Sequence, residues 1–107
     1  MSENEGRYRH VVLFKFRDHA DAATVRGIEA GFRALVAQLP FVLAFEWGRN
    51  SSPEGLDRGF THCFIVTFRD EADRDAYLPH PAHQAFCREH LEPNLESVCV
   101  VDFRAQG

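Results

Sequence analysis

A chain of 107 residues, 45% hydrophobic and 26% charged, is long enough for one domain with a modest core. Its formal charge of −4 and scattered basic residues argue against gripping a phosphate backbone, so no nucleic-acid partner is expected. The polar start MSENEGRYRH has no apolar h-region and no later run nears the ~20 residues that span a bilayer; with Cys63, Cys87 and Cys99 reading as free thiols, a cytoplasmic protein without membrane contact is expected.

Residues 1–7 read as a flexible N-terminus, and residues 8–104 as a single domain. The first strand, YRHVVLFKF, puts His10, Val12, Phe14 and Phe16 on one face and Val11, Leu13 and Lys15 on the other, both largely apolar. Asp18 or Asp21 can then cap a helix in which Val25, Ile28, Phe32, Leu35, Val36 and Leu39 recur at helical spacing, with Pro40 ending it. Gly27 and Gly31 weaken that helix by about 1 kcal/mol each, and close packing beneath them is the expected compensation.

A second strand, FVLAFEWG, leads into the loop RNSSPEGLDRG, and a third, FTHCFIVTF, alternates His62, Phe64, Val66 and Phe68 against Cys63, Ile65 and Thr67. RDEADRDAYL and HPAHQAFCREHLEP read as two helices, and ESVCVVDF as the last strand. The order βαββαβ predicts an α+β, ferredoxin-like protomer: a four-stranded antiparallel sheet with its helices on one face. The bare face carries Val11, Leu13, Val42, Ala44 and Ile65, more apolar surface than a soluble monomer usually shows. A homodimer packed sheet to sheet is therefore expected.

The segments HVVLFKF, EWGRNSSPEGLDRGFTHCFIVTF and RDAYLPHPAH, in this order and spacing, resemble the stress-responsive A/B barrel (Dabb) family over about residues 8–104. The resemblance implies a dimeric α+β barrel. It also extends to plant polyketide cyclases of that family, whose Y-x-x-H-P-x-H stretch matches Tyr77 to His83. By that likeness Tyr77 and His83 carry an intramolecular aldol condensation. Glu29 stands where the cyclases' helix presents a bulky aromatic residue, and Ile28 is smaller than its counterpart, which tells against a long polyketide substrate.

Taken on their own chemistry, His83 (ordinary pKa about 6.5) is a general base and Tyr77 (about 10) a hydrogen-bond donor to a polarised carbonyl. In the competing structural reading, Pro81 is the first residue of a helix, His80 its cap, and His83 a partly exposed polar contact. His80 and His83, with Glu89 and His90 beyond, lack a recognisable ligand spacing, so no metal is expected, and no cofactor is implied. His10 and His62 lie on the helix-facing side of neighbouring strands. Either each is a core residue with a backbone partner, or both join Val12, Phe14, Ile28, Phe32 and Phe64 in lining a mostly apolar ligand cavity.

The loop after Trp47 lacks a phosphate-binding pattern and is expected to close over the cavity or the dimer edge. His62 and Cys63 are adjacent in a strand and point to opposite faces, so they form no catalytic pair. Two functions remain open. One is a homodimer binding a small hydrophobic or aromatic metabolite, and the other is a cyclase, lyase or isomerase acting on a carbonyl compound through His83 and Tyr77.

Overall fold

The computed structural model describes residues 6–107. Its elements run β1 (Tyr8–Phe16), α1 (Ala22–Ala37), β2 (Val42–Arg49), β3 (His62–Phe68), α2 (Glu71–Tyr77), α3 (Pro81–Phe86), a π-helical turn (Cys87–Leu91) and β4 (Leu95–Arg104). The strands form one antiparallel sheet in the order β2, β3, β1, β4. This is the α+β, ferredoxin-like arrangement that the strand and helix order predicts. The expectation for residues 1–7 falls mostly outside the described residues; at its end, the Gly6 amide donates to Ala105 and the Ala105 amide to Arg7, extending the β1·β4 pairing. Among the described residues no helix is long and apolar enough to cross a membrane.

Local chemistry sets the helix starts. Of the two candidate caps for α1, Asp21 is the one used: its backbone is extended and its carboxylate accepts from the Thr24 amide at 2.8 Å. Asp70 caps α2 in the same way through the Asp73 amide. For α3, His80 Nδ1 accepts from the Ala82 amide at 3.1 Å, and Pro81 stands in the first turn, where its missing N–H costs nothing. The chain then widens by one residue, the Glu92 amide reaching the Cys87 carbonyl at 2.9 Å.

The core lies between α1 and one sheet face. Phe64 of β3, fully buried, sits at its centre, with ring centroids 4.8 Å from Phe14 and 4.7 Å from Phe32. Ile28, Leu35 and Val36 complete the α1 contribution, and Leu39, just past its end, joins them. Close packing under the helix glycines holds for Gly31, where an added Cβ would lie 3.2 Å from Phe86; at Gly27 nothing lies within 4 Å.

On the outer face, Val11 pairs with Ile65 and Val101, and Leu13 with Cys63 and Cys99. Val101 and Phe103 are 57% and 43% exposed there, so the apolar outer face is real. One member of it is corrected. Strict alternation puts Val42 beside Ala44 on that face, but Val42 pairs with Phe68 and Ala44 with Thr67. Leu43 is therefore an extra residue, and this bulge turns Val42 to the helix side, where it packs on the core.

Candidate functional site

A cavity of about 330 Å³ opens between β1 and β4 on one side and α2, α3 and the π-helical turn on the other. Val12, Phe14, Phe32, Phe86, Leu91 and Val100 make its wall mostly apolar, while His10, Tyr77, His83 and Cys87 supply polar groups. Its mouth lies toward β4. By register Val98 and Val100 share the helix-facing side with Phe14 and Val12, yet each remains 51% exposed, because no helix covers them.

Tyr77 ends α2 and is completely buried, and its hydroxyl has no hydrogen-bond partner among the described residues. Burial, together with the nearby Cys87, pushes its pKa well above the ordinary tyrosine value, so it is a donor and not a base. The His83 ring centroid lies 4.4 Å from that of Tyr77. His83 Nδ1 donates to the Leu78 carbonyl at 2.9 Å, so the neutral ring carries its proton there and leaves Nε2 as the acceptor. Burial lowers the His83 pKa, which keeps that acceptor unprotonated at neutral pH. Pro79 and Pro81 fix the short link between the two residues.

The His10 and Tyr77 rings meet in a T-shaped contact with centroids 5.7 Å apart, and His10 Nδ1 donates to Asp102 at 2.7 Å. Asp102 is also held by Arg74, which reaches the Tyr8 hydroxyl at 3.0 Å. With Nδ1 committed to a carboxylate, the His10 tautomer and ring orientation are set. Asp102 and Arg74 were not among the residues the sequence pointed to. A signal existed: Asp102 falls on the same strand face as Val98 and Val100, and a carboxylate on such a face needs a partner.

His10, Val12, Phe14, Phe32, Tyr77 and His83 line this cavity together, and Ile28, His62 and Phe64 are not part of its lining. Ile28 and Phe64 are buried in the core behind the cavity wall. His62 is displaced by register: β1 and β3 are antiparallel, so His10 pairs with Val66 and His62 with Phe14, which sets the two histidines about 13 Å apart along the strands. His62 instead donates from Nε2 to Glu29 at 2.7 Å and accepts at Nδ1 from the Thr61 hydroxyl at 2.8 Å. Its ring lies parallel to that of Trp47, 5° apart in plane. Arg49 closes the cluster with a two-point contact to Glu29. Burial alone would raise the Glu29 carboxyl, but the bonds from His62 and Arg49 outweigh it and hold the group below its ordinary value.

The loop after β2 does not cover the cavity. Asn50, Asp57 and Phe60 border a shallower depression of about 430 Å³ that runs onto the outer sheet face at Leu13 and Ile65. His80 spends Nδ1 on the α3 cap, and among the described residues no three His, Cys, Asp or Glu side chains gather as a metal site.

The model of the stress responsive A/B barrel domain (Dabb) family matches residues 8–105. The chain belongs to this family. It is 34% identical over 104 residues to the stress-response A/B barrel domain-containing protein HS1 of Arabidopsis thaliana, covering 97% of this chain and 94% of that one. It is 28% identical over 78 residues to olivetolic acid cyclase of Cannabis sativa, covering 73% and 77%. Among solved structures, an Arabidopsis thaliana protein superimposes with a TM-score of 0.88 at 32% identity, covering 94% of this chain and 96% of its own. Hydroxynitrile lyase of Passiflora edulis gives 0.83 at 25%, covering 94% of each. A relative from Bacteroides fragilis, 27% identical with a TM-score of 0.73 over 94% of this chain and 98% of its own, is described as dimeric with a ferredoxin-like fold. The Dabb resemblance read from the three sequence segments is thus correct.

Proposed function

We propose that the cavity binds a small apolar or aromatic carbonyl compound, and that His83 and Tyr77 move a proton at the carbon next to the carbonyl. The observation that carries this reading is the Tyr77 hydroxyl, buried without a partner among the described residues on a ring that packs against the pinned His83 imidazole. An unmade hydrogen bond at a buried hydroxyl costs about 1–3 kcal/mol, and a ligand carbonyl oxygen supplies the missing acceptor. In the reaction, His83 Nε2 takes a proton from the carbon next to the carbonyl, and the C–H electron pair becomes that of an enolate. Tyr77 donates to its oxygen. Asp102 holds His10 at the same wall. In a cyclase the enolate carbon then bonds to a second carbonyl, whose oxygen takes the proton held by the His83 imidazolium; in an isomerase the imidazolium returns that proton to another carbon or to the opposite face. Two proteins similar to this chain are described as a cyclase and as a hydroxynitrile lyase, which supports chemistry at or beside a carbonyl carbon.

A purely ligand-binding role for the same cavity is the second reading, favoured by its nearly continuous apolar wall. Both readings include a homodimer through the outer sheet face. The apolar row Val11, Leu13, Ile65 and Val101 and the dimeric relatives support it. The three free cysteines suit a reducing cytoplasm.

The probe 4-phenyl-2-butanone separates the readings. Catalysis predicts that it raises the melting temperature and that the protein exchanges its protons next to the carbonyl for solvent deuterium. Binding without exchange supports the second reading, and no binding overturns both.

A further inference from the structure

Cys87 is a nucleophilic cavity residue that the proposed reaction does not use. It stands one helical turn after His83, at the start of the π-helical turn, and its Sγ lies 3.5 Å from His83 Nε2. The spacing of four residues puts thiol and imidazole on one helix face. Tyr77, whose buried hydroxyl has no hydrogen-bond partner among the described residues, lines the same cavity. A thiol, a base in contact with it and an unused hydroxyl donor therefore share one apolar chamber. Cys63 and Cys99 differ: both pair with Leu13 on the outer sheet face, remote from His83 and Tyr77.

We propose that Cys87 is a covalent capture site for an α,β-unsaturated carbonyl compound of apolar or aromatic character. The proposal rests on the ligand reading above, because it uses the same cavity and the same carbonyl contact. His83 Nε2 takes the thiol proton as Sγ bonds to the β-carbon. The carbon–carbon π pair moves onto the α-carbon and carbonyl as an enolate, whose oxygen accepts from Tyr77. The imidazolium then returns its proton to the α-carbon, so the net change is addition of S–H across the double bond and no oxidant is needed.

Burial and the neighbouring Glu92 push the Cys87 thiol up, so it rests protonated and inert toward reagents that do not enter the chamber. A ligand seated against Tyr77 places its β-carbon beside a thiol already in contact with its base. Reactivity thus follows occupancy of the cavity and not exposure of the sulfur.

The test is adduct formation between the full chain and 4-phenyl-3-buten-2-one, followed by intact-mass measurement and peptide mapping. One addition per chain is expected, at Cys87 in preference to Cys63 and Cys99, and it is slowed by excess saturated 4-phenyl-2-butanone. In His83→Ala and in Tyr77→Phe the rate falls by roughly a hundredfold. Tyr77→Phe keeps the packing volume, so it decides the matter if His83→Ala does not fold. Adducts spread over the three cysteines, no adduct, or an unchanged rate at Cys87 in Tyr77→Phe each overturn the proposal. Thermal stabilisation by the saturated ketone without any adduct overturns capture and leaves the ligand reading standing. Failure of that ketone to bind overturns the ligand reading itself.

Discussion

The Tyr77 hydroxyl has no partner among the described residues, while the imidazole of His83, its ring centroid 4.4 Å from that of Tyr77, is locked through Nδ1 onto the Leu78 carbonyl. One group is unsatisfied and the other is held with its acceptor nitrogen free of the backbone. A turn that served only packing gains nothing from leaving a buried hydroxyl unpaired. Tyr77→Phe removes that hydroxyl and little else, so it is expected to leave stability unchanged or raise it by about 1 kcal/mol. Urea unfolding measures this, and a loss above about 1 kcal/mol would show that the hydroxyl has a structural partner.

The His83 titration gives a second expectation. Burial first, outweighing the bond to Leu78, holds the folded pKa below the ordinary value of 6.5. Catalysis by the neutral ring is therefore constant through neutrality and falls only in acid, with its half-point below pH 6.5. For stability, the unfolded chain binds the proton at a higher pH than the folded one. The contribution is thus complete above pH 6.5 and is lost as pH falls through the folded value. His83→Gln lacks this loss, so its urea midpoint is expected to drop less between pH 7 and pH 5 than that of the native chain. Parallel curves would refute the assignment.

Glu29 is a buried carboxylate with three bonds, one from His62 and two from Arg49. Glu29→Gln leaves His62 and Arg49 without a charged acceptor and is expected to cost about 2 kcal/mol. Because the folded pKa of Glu29 lies below its ordinary 4.5, the native chain keeps this contribution above pH 4.5 and loses it as pH falls through the folded value. Trp47, the one tryptophan, is parallel to His62 and reports the change by fluorescence. A variant as stable as the native chain at pH 7, with unaltered emission, would contradict this account of the cluster.

The outer sheet face is expected to pair two copies. Leu13→Glu or Ile65→Glu places a charge in the middle of that contact and is expected to abolish the dimer and lower solubility. Sedimentation equilibrium at micromolar concentration checks it, and a native monomer with no tendency to associate would rule the pairing out.

Much of this was legible in the sequence, because period-2 and period-3.6 patterns report which face a residue occupies. The His10, Val12, Phe14 set of β1, the Ile28, Phe32, Leu35 stripe of α1 and the capped start of α3 at His80 and Pro81 all follow from local rules. What local rules do not carry is register. Antiparallel pairing sends His62 to the opposite end of the sheet from His10, and the Leu43 bulge turns Val42 inward. The contacts of Asp102 with His10, 92 positions apart, and with Arg74, 28 apart, exist only once β4 is laid beside β1. Cys87 gains meaning from the cavity that forms around it and not from its neighbours in the chain.

The central claim is that His83 and Tyr77 move a proton next to a carbonyl, and hydrogen–deuterium exchange of 4-phenyl-2-butanone followed by proton NMR at pH 7 tests it most directly. The account predicts exchange well above the buffer rate with the native chain, a loss of roughly a hundredfold in His83→Ala, and a comparable loss in Tyr77→Phe with the ketone still bound. Exchange at the buffer rate by a native chain that binds the ketone, or exchange undiminished in both variants, would contradict it.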